Sequence, residues 1–188
     1  MTRLTHRFTA THVDGSRLLG RAAAFLLIGL AAGPASAGRT PRTGPTIEAG
    51  GSLAEVWHTY ADRPRSLTGI GHFGAGAFVH PKVAILLRFA ALPVMLQPAS
   101  FTSHFGVDVQ WWPTSSLFVA AGGGAAYWHT FRAERDPMSG IGATARAGWA
   151  FVERRRTTVR VGVEVLPTWF RGGHSSTAVA LVIDWQRL

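Results

Sequence analysis

Apolar residues recur at every second position over much of this chain. The clearest run covers residues 158–165, where valines at 159, 161, 163 and 165 alternate with Thr158, Arg160, Gly162 and Glu164. A period of two places all four valines on one face of a β-strand, whereas a helix would scatter them around its axis. Three other segments show the same alternation and are predicted to be strands: 82–89, 103–112 and 141–151.

Four weaker segments, in which glycine interrupts the pattern, complete a prediction of eight strands: Ser52–Tyr60, Thr68–Val79, Ser116–His129 and Thr177–Trp185. Every second connection is a short turn with proline or charged residues, at His80-Pro81, Pro113–Ser115 and Glu153–Arg156, and the other connections are mostly longer. Short turns opposite longer loops, with an even number of strands, are typical of transmembrane barrels. We therefore predict an all-β fold, an eight-stranded antiparallel up-and-down transmembrane β-barrel.

Alternation alone does not decide which face meets water, because soluble lipocalin-like barrels alternate as well. A soluble periplasmic barrel that binds an apolar ligand is therefore an alternative. The tryptophans favour a membrane, since they fall near the predicted strand ends in two bands, like the interfacial girdles of membrane barrels. The predicted girdle contains Trp57, Trp111, Trp112, Trp128, Trp149, Trp169 and Trp185.

The opposite face carries polar side chains, which we expect to point into the barrel. Eight strands enclose only enough room for side chains, so these groups should form a plugged, hydrogen-bonded interior without an open pore. The predicted network contains Arg88, His104, Asp108, Arg146, Arg160, Glu164 and Asp184. Within it, we expect Arg146, Glu164 and Arg160 to cluster, which would neutralise buried charge.

The first 37 residues have the layout of an export signal. Arginines precede the apolar run Ala22–Ala32, and Ala35-Ser36-Ala37 matches the small-residue site of signal peptidase. The apolar run is about half as long as the roughly 20 residues of a spanning helix. We therefore predict three parts: a signal peptide at 1–37 that is cleaved after Ala37, a short linker at 38–45 and a barrel domain at 46–188.

Three stretches carry a resemblance to a known group of proteins: Gly106–Pro113, Leu117–Trp128 and Arg160–Pro167. From about Thr46 to Leu188, the pattern resembles the small eight-stranded outer-membrane β-barrels of the OmpA and OmpX type. The resemblance implies a monomer in the outer membrane of a Gram-negative bacterium, in contact with outer-membrane lipid and inserted by the barrel assembly machinery. It further implies a structural role in the cell envelope or in surface interactions rather than catalysis. Unlike most of that group, this chain ends in Leu188, and its last aromatic residue is Trp185.

His174 and Ser176 are the one candidate pair for nucleophilic catalysis, because a serine needs a nearby imidazole to accept its proton. Their H-x-S spacing near the last strand resembles that of lipid A deacylases, which are also eight-stranded barrels. Those enzymes continue with asparagine and supply a glutamate, whereas here Thr177 follows and Asp184 is the remaining acid. A lipid A-modifying enzyme is therefore kept as an alternative to a non-enzymatic barrel.

Charge and composition narrow the remaining choices. The chain has no cysteine, which excludes thiolate metal sites and cysteine nucleophiles. Its histidines are scattered along the sequence, so we expect neither a metal nor another cofactor. The formal net charge is +9, and arginines in the outer loops could pair with lipopolysaccharide phosphates. The run Arg154–Arg156 lacks interleaved aromatic residues, so we expect no nucleic-acid partner.

Overall fold

The computed structural model describes residues 42–59, 65–94, 100–130, 137–154 and 156–188. The predicted signal peptide, its cleavage site and linker residues 38–41 lie outside these ranges. The described residues form eight strands in chain order: β1 (Gly44–His58), β2 (Arg65–His80), β3 (Val83–Val94), β4 (Ser100–Trp111), β5 (Leu117–Thr130), β6 (Met138–Arg154), β7 (Thr157–Phe170) and β8 (Ser175–Arg187). In these ranges no helix has the length and apolarity needed to cross a membrane.

Each strand pairs antiparallel with the next one in sequence, and β1 pairs with β8, which closes the barrel. The predicted eight-stranded antiparallel up-and-down fold is confirmed. Strand β1 begins at Gly44, earlier than the predicted start at Ser52, because Gly50 and Gly51 hide an alternation that continues on both sides of them. The extra residues bring Glu48 into the barrel.

The two ends of the barrel differ in their connections. The terminal end holds the start of β1, the end of β8 and the ends of β2, β4 and β6, with turns at 81–82 and 112–116. The loop end holds the ends of β1, β3, β5 and β7, with a turn at 171–174. Between β7 and β8, Gly172 and Gly173 have φ of +83° and +79°, a conformation that side chains disfavour. Their turn is closed by the Phe170 amide, which donates to the His174 carbonyl.

The outward face of the barrel is apolar. Ile141, Leu181 and Val79 are 66%, 63% and 63% exposed, and nearly all exposed large apolar residues of the strands have odd numbers. Even-numbered neighbours such as Val182 and Arg88 are buried inside. The face assignment made from the sequence therefore holds, and it is the reverse of the arrangement in a soluble barrel, whose apolar side chains fill the interior.

Two β-bulges at the terminal end interrupt this alternation, between Phe78 and His80 and between Ala150 and Val152. Each bulge adds a residue to one strand and re-aims the side chains that follow it. After the second bulge, Phe151 and Val152 are both exposed, and Arg154 takes an outward position although its number is even.

The tryptophans divide between the two faces. Trp57, Trp111, Trp149, Trp169 and Trp185 occupy odd-numbered, outward positions. Trp112 and Trp128 are only 0% and 3% exposed and lie inside the barrel, so the prediction that all seven form an outer girdle is wrong for these two. Adjacent residues of an extended chain point to opposite faces, so Trp111 and Trp112 cannot share the outer surface.

Apolar side chains form clusters inside the barrel, on both sides of a polar middle. Near the terminal end, Phe78, Trp112 and Phe118 pack with Ala84 and Ala150. Toward the loop end lie two further clusters, which contain Ala54, Val56, Ile70, Ala90, Leu92, Leu166, Ala178, Ala180 and Val182, and Ala126, Trp128 and Phe170. The predicted polar interior is thus one layer of the lumen, with apolar clusters on either side of it.

Candidate functional site

The middle of the barrel holds a buried cluster of charged side chains, here called the charged layer: Glu48, Arg88, Asp108, Arg146, Arg160, Glu164 and Asp184. Six of these residues, together with His104, formed the network predicted from the sequence, and the structure buries all seven predicted residues inside the barrel. Their even numbers explain this placement, because even positions face inward in these strands, except beyond the bulge in β6.

Arg88 and Glu164 make a bidentate ion pair across the lumen. The Arg88 Nη1 and Nη2 atoms donate to Oε1 and Oε2 of Glu164 at 2.6 and 2.9 Å. The two residues lie on β3 and β7, which are not neighbours in the sheet. Paired N–H donors match the geometry of a carboxylate, which makes such pairs stronger than single hydrogen bonds. The pair therefore connects opposite walls of the barrel.

Glu48 is the centre of the charged layer. Its carboxylate lies 3.0 Å from Nη1 of Arg146 and 2.7 Å from Nη2 of Arg160, and 3.5 Å from Nε of Arg88. An arginine–glutamate–arginine cluster thus exists, but its carboxylate is Glu48 and not Glu164, the residue predicted from the sequence. Glu164 instead binds Arg88, because its cross-strand neighbour Arg146 reaches toward β1 and β4.

Two aspartates complete the charged layer. Asp108 accepts hydrogen bonds from Arg146 Nη2 at 3.0 Å and from the Thr144 hydroxyl at 2.7 Å. Asp184 pairs with Nε of Arg160, and His72 lies 3.8 Å from its other oxygen. Every carboxylate of the layer therefore has at least one guanidinium partner, as burial of charge requires.

A chain of amides connects the charged layer to the terminal end. Arg160 donates to Gln186 at 2.6 Å, and Gln186 in turn donates to the side-chain oxygen of Gln110 at 2.9 Å. The indole N–H of Trp112 donates to the same oxygen at 3.2 Å. This connection explains how Trp112 is buried with its one polar atom satisfied.

Arg42, which precedes β1, covers the terminal end of the lumen. Its guanidinium lies 3.7 Å from the centre of the Trp112 ring, and Nη2 donates to the carbonyl of Ser115 at 2.6 Å. From within the charged layer, the Arg160 guanidinium also lies 4.5 Å from the ring centre of Phe118. Two cations therefore contact the aromatic cluster, a favourable arrangement for a ring's electron-rich face.

Small residues make room for these charges. A Cβ atom added to Gly122 would overlap the Asp108 carboxylate, and one added to Gly74 would lie 2.8 Å from Cγ of Glu48. The glycines that interrupt the hydrophobic pattern are thus in part a consequence of the charged layer, because a narrow barrel cannot hold bulky side chains opposite each other.

His104 differs from its neighbours in the interior. It is buried, and neither ring nitrogen has a hydrogen-bond partner among the described residues. Its ring packs against Gly142, where an added Cβ would lie 2.6 Å from Cδ2. His104 belongs to the lumen, as predicted, but not to the hydrogen-bonded network.

The candidate catalytic residues differ in their surroundings in the β7–β8 hairpin. His174 is in the turn, whereas the side chain of Ser176 is buried inside the barrel at the start of β8. Nearby, Nε2 of His58 lies 3.0 Å from the hydroxyl of Ser66. Nowhere in the described ranges do three or more histidine, aspartate or glutamate side chains form a group that could hold a metal ion.

Chemically, the interior provides charge compensation. Its carboxylates already contact guanidinium groups, and the apolar clusters on both sides separate the charged layer from the two ends of the barrel. Ion pairs in such a low-dielectric setting resist separation, because each partner alone would be a buried, unpaired charge.

No protein-family model matches the chain, and no curated protein matches it in sequence. Among solved structures, it is similar to Neisserial surface protein A (NspA), with a TM-score of 0.66 and 9% identity over 76% of this chain and 96% of that one. Ail of Yersinia pestis (TM-score 0.46, 10% identity, 78% and 99% covered) and the N-terminal β-barrel domain of Pseudomonas aeruginosa OprF (0.43, 9%, 76% and 99%) also match. The likeness to NspA shows that this chain has the fold of the small eight-stranded outer-membrane β-barrels.

Proposed function

We propose that this protein is a non-enzymatic barrel of the Gram-negative outer membrane, with a plugged interior and a structural or surface-interaction role in the cell envelope. The observation that carries the proposal is the pairing of an apolar outer face with a charged, internally neutralised lumen. Such a molecule is stable where hydrocarbon surrounds it, and closure of the sheet satisfies the backbone groups that hydrocarbon cannot.

The outer face supports insertion in a bilayer. Large side chains such as Phe73, Leu87 and Phe105 are about half exposed, and they would be unfavourable in water as a continuous belt. Tryptophans accompany the belt toward both ends, with Trp169 near the loop end and Trp185 near the terminal end. An indole combines an apolar body with a polar N–H, which suits the headgroup region.

The interior supports a barrel that does not conduct. The Arg88–Glu164 pair crosses the lumen, and Trp112, Phe118 and Arg42 fill the space toward the terminal end. An ion entering this lumen would have to displace paired charges that are already satisfied. The role of the protein is therefore expected to depend on its surface and its loops.

Membrane insertion is tested by isolating outer membranes from cells that make the protein and comparing boiled and unboiled samples on SDS gels. A folded membrane barrel resists the detergent, so we expect recovery with the membranes and a heat-dependent change in mobility. Recovery in the soluble fraction without such a change would contradict the proposal and favour the soluble ligand-binding alternative.

The plugged interior is tested by conductance in planar lipid bilayers. We expect the wild-type barrel to give no ion-conducting steps. A variant with Arg88→Ala, Glu164→Ala, Trp112→Ala and Phe118→Ala, which removes both the ion pair across the lumen and two rings at its terminal end, is the positive control and should leak. Steady conductance by the wild type would contradict a plugged interior.

The lipid A-modifying alternative makes a different prediction. A hydrolase acting on acyl chains needs its nucleophile where lipid can reach it, whereas Ser176 is buried in the barrel. We therefore expect the mass spectrum of lipid A to be the same with and without expression of the protein. Loss of an acyl chain that Ser176→Ala abolishes would instead establish the enzymatic function.

A further inference from the structure

The outer surface at the terminal end carries a cluster of cations without carboxylate partners. It consists of Arg154 at the end of β6, Arg156 in the following turn and Arg187 at the end of β8, all of which are exposed. Within the part of the chain that the structure describes, no ion pair involves any of the three. Their charges therefore face the surroundings.

Strand register brings these arginines together. Arg154 and Arg187 are both partners of Thr157, one from each side of β7. Because adjacent strands lie about 4.8 Å apart, the two Cα atoms are separated by about 10 Å. Arg156 precedes Thr157 directly, and its carbonyl accepts a hydrogen bond from the Leu188 amide at 2.7 Å. All three guanidinium groups can thus approach one ligand.

The bulge in β6 determines the sign of this surface. It shifts the register between Ala150 and Val152, so that Glu153 is opposite the inward-facing Thr158 and Arg154 is opposite the outward-facing Thr157. The Glu153 carboxylate lies 3.7 Å from Nη2 of Arg42, which covers the lumen. Without the bulge, Glu153 would face outward and Arg154 inward. The Glu153 carboxylate would then lie beside the remaining arginines and neutralise part of their positive charge.

The next row of outward-facing residues, one step from the arginines toward the middle of the barrel, is apolar. Val159 is opposite Val152 on one side and Trp185 on the other. Val152 and Trp185 are 41% and 38% exposed, and Phe151 beside them is 56% exposed. A row of guanidinium groups beside a row of apolar side chains fits a ligand that has an anionic head and hydrocarbon tails.

We propose that Arg154, Arg156 and Arg187, together with Val152, Val159 and Trp185, form a binding site for the phosphate headgroup and first acyl carbons of an anionic membrane phospholipid. This inference rests on the proposed membrane location. Guanidinium groups bind phosphate with paired N–H donors, and each arginine near an anionic lipid surface contributes about a fivefold preference. The nearby turn at 112–116 carries no charged residue, so the cluster does not extend in that direction.

The experiment uses the purified, folded protein in mixed micelles with phosphatidylglycerol or phosphatidylcholine, and counts retained lipids by native mass spectrometry. We expect retention of phosphatidylglycerol over phosphatidylcholine, with about a fivefold loss of this preference for each arginine removed in Arg154→Gln and Arg187→Gln. Lys82→Gln, which removes a cation from the β2–β3 turn at the same end, is the matched control and should retain the preference.

Three results would overturn this site. The wild type could show no preference between the two lipids, Lys82→Gln could reduce the preference as much as the arginine variants, or soluble glycerol phosphate could displace the lipid as well as the lipid itself does. A heat-dependent gel shift confirms that each variant is folded. A protein that fails to insert into pure phosphatidylcholine bilayers contradicts the proposed function, whereas one that inserts without lipid preference contradicts the site alone.

Discussion

Arg88 on β3 binds Glu164 on β7 through both of its terminal nitrogens, although the two strands are on opposite sides of the closed sheet. Backbone pairing cannot connect these strands directly. The ion pair therefore links two non-adjacent strands across the lumen, and each partner depends on the other for charge compensation.

Replacing one partner of this pair should be more harmful than its contacts alone indicate. We expect Glu164→Ala to lower the free energy of unfolding by about 3–5 kcal/mol, because Arg88 would remain as a buried charge with weaker partners. The double variant Arg88→Ala with Glu164→Ala should cost clearly less than the sum of the two single variants. Urea unfolding in lipid vesicles, followed by tryptophan fluorescence, measures this coupling. If the losses of the two single variants simply add in the double variant, Arg88 and Glu164 do not stabilise each other.

The membrane-facing surface makes a prediction that depends on depth. Leu181 is at the middle of β8 and 63% exposed, whereas Val161 is closer to the terminal end and 42% exposed. We expect Leu181→Arg to cost about 2–4 kcal/mol and Val161→Arg to cost less, because a charge near the interface can reach the headgroups. Leu181→Phe is the control. Equal tolerance of both arginines in vesicle unfolding would argue against a bilayer.

Substitution of glycine by alanine should have opposite effects on stability in the lumen and on the outer surface. In Gly122→Ala the new methyl group would overlap the Asp108 carboxylate, so we expect a loss of about 1–3 kcal/mol. Gly71 has no atom within 4 Å of an added Cβ, and Gly71→Ala should be neutral or stabilise by about 0.5–1 kcal/mol, since alanine restricts the unfolded chain. If the two variants unfold at the same urea concentration, Gly122 is not required to make room for the Asp108 carboxylate.

His104 should be replaceable, in contrast to the ionised residues around it. Its ring nitrogens donate and accept no hydrogen bond among the described residues, so His104→Leu removes a buried polar group without leaving another unpaired. We expect a change below about 1 kcal/mol. Arg146→Met should cost about 3–5 kcal/mol, because Glu48 and Asp108 would each lose a guanidinium partner. A large loss for His104→Leu would reveal a role beyond packing.

Period-two alternation was enough to predict the barrel and the side of the sheet on which each residue of the clear strands lies. Val161 and Arg160 show why. One is apolar and its neighbour is charged, so only one choice of inward and outward faces suits both residues. The same rule, applied to Trp111 and Trp112, predicts that one of two adjacent tryptophans points inward. The prediction grouped the tryptophans by their distance from the strand ends and did not consider which face of the sheet each one occupies.

The partners of the interior charges were beyond sequence reasoning. Glu48 was missed because Gly50 and Gly51 concealed the first half of β1, and without it the arrangement of Arg146 and Arg160 could not be inferred. The Arg88–Glu164 pair depends on how the sheet curves and closes, and on the side-chain conformers that the lumen allows. Neither is encoded in local spacing.

The pairing of β1 with β8 also determines when the molecule can form. Hydrogen bonds along this seam connect positions about as far apart as the barrel sequence allows, such as Gln186, whose amide donates to the Thr46 hydroxyl over a separation of 140 residues. Until β8 is made and delivered, the first strand has an open edge that hydrocarbon cannot solvate and that other chains can occupy. A chain without β8 is therefore unstable in a bilayer, so stable insertion requires the last strand.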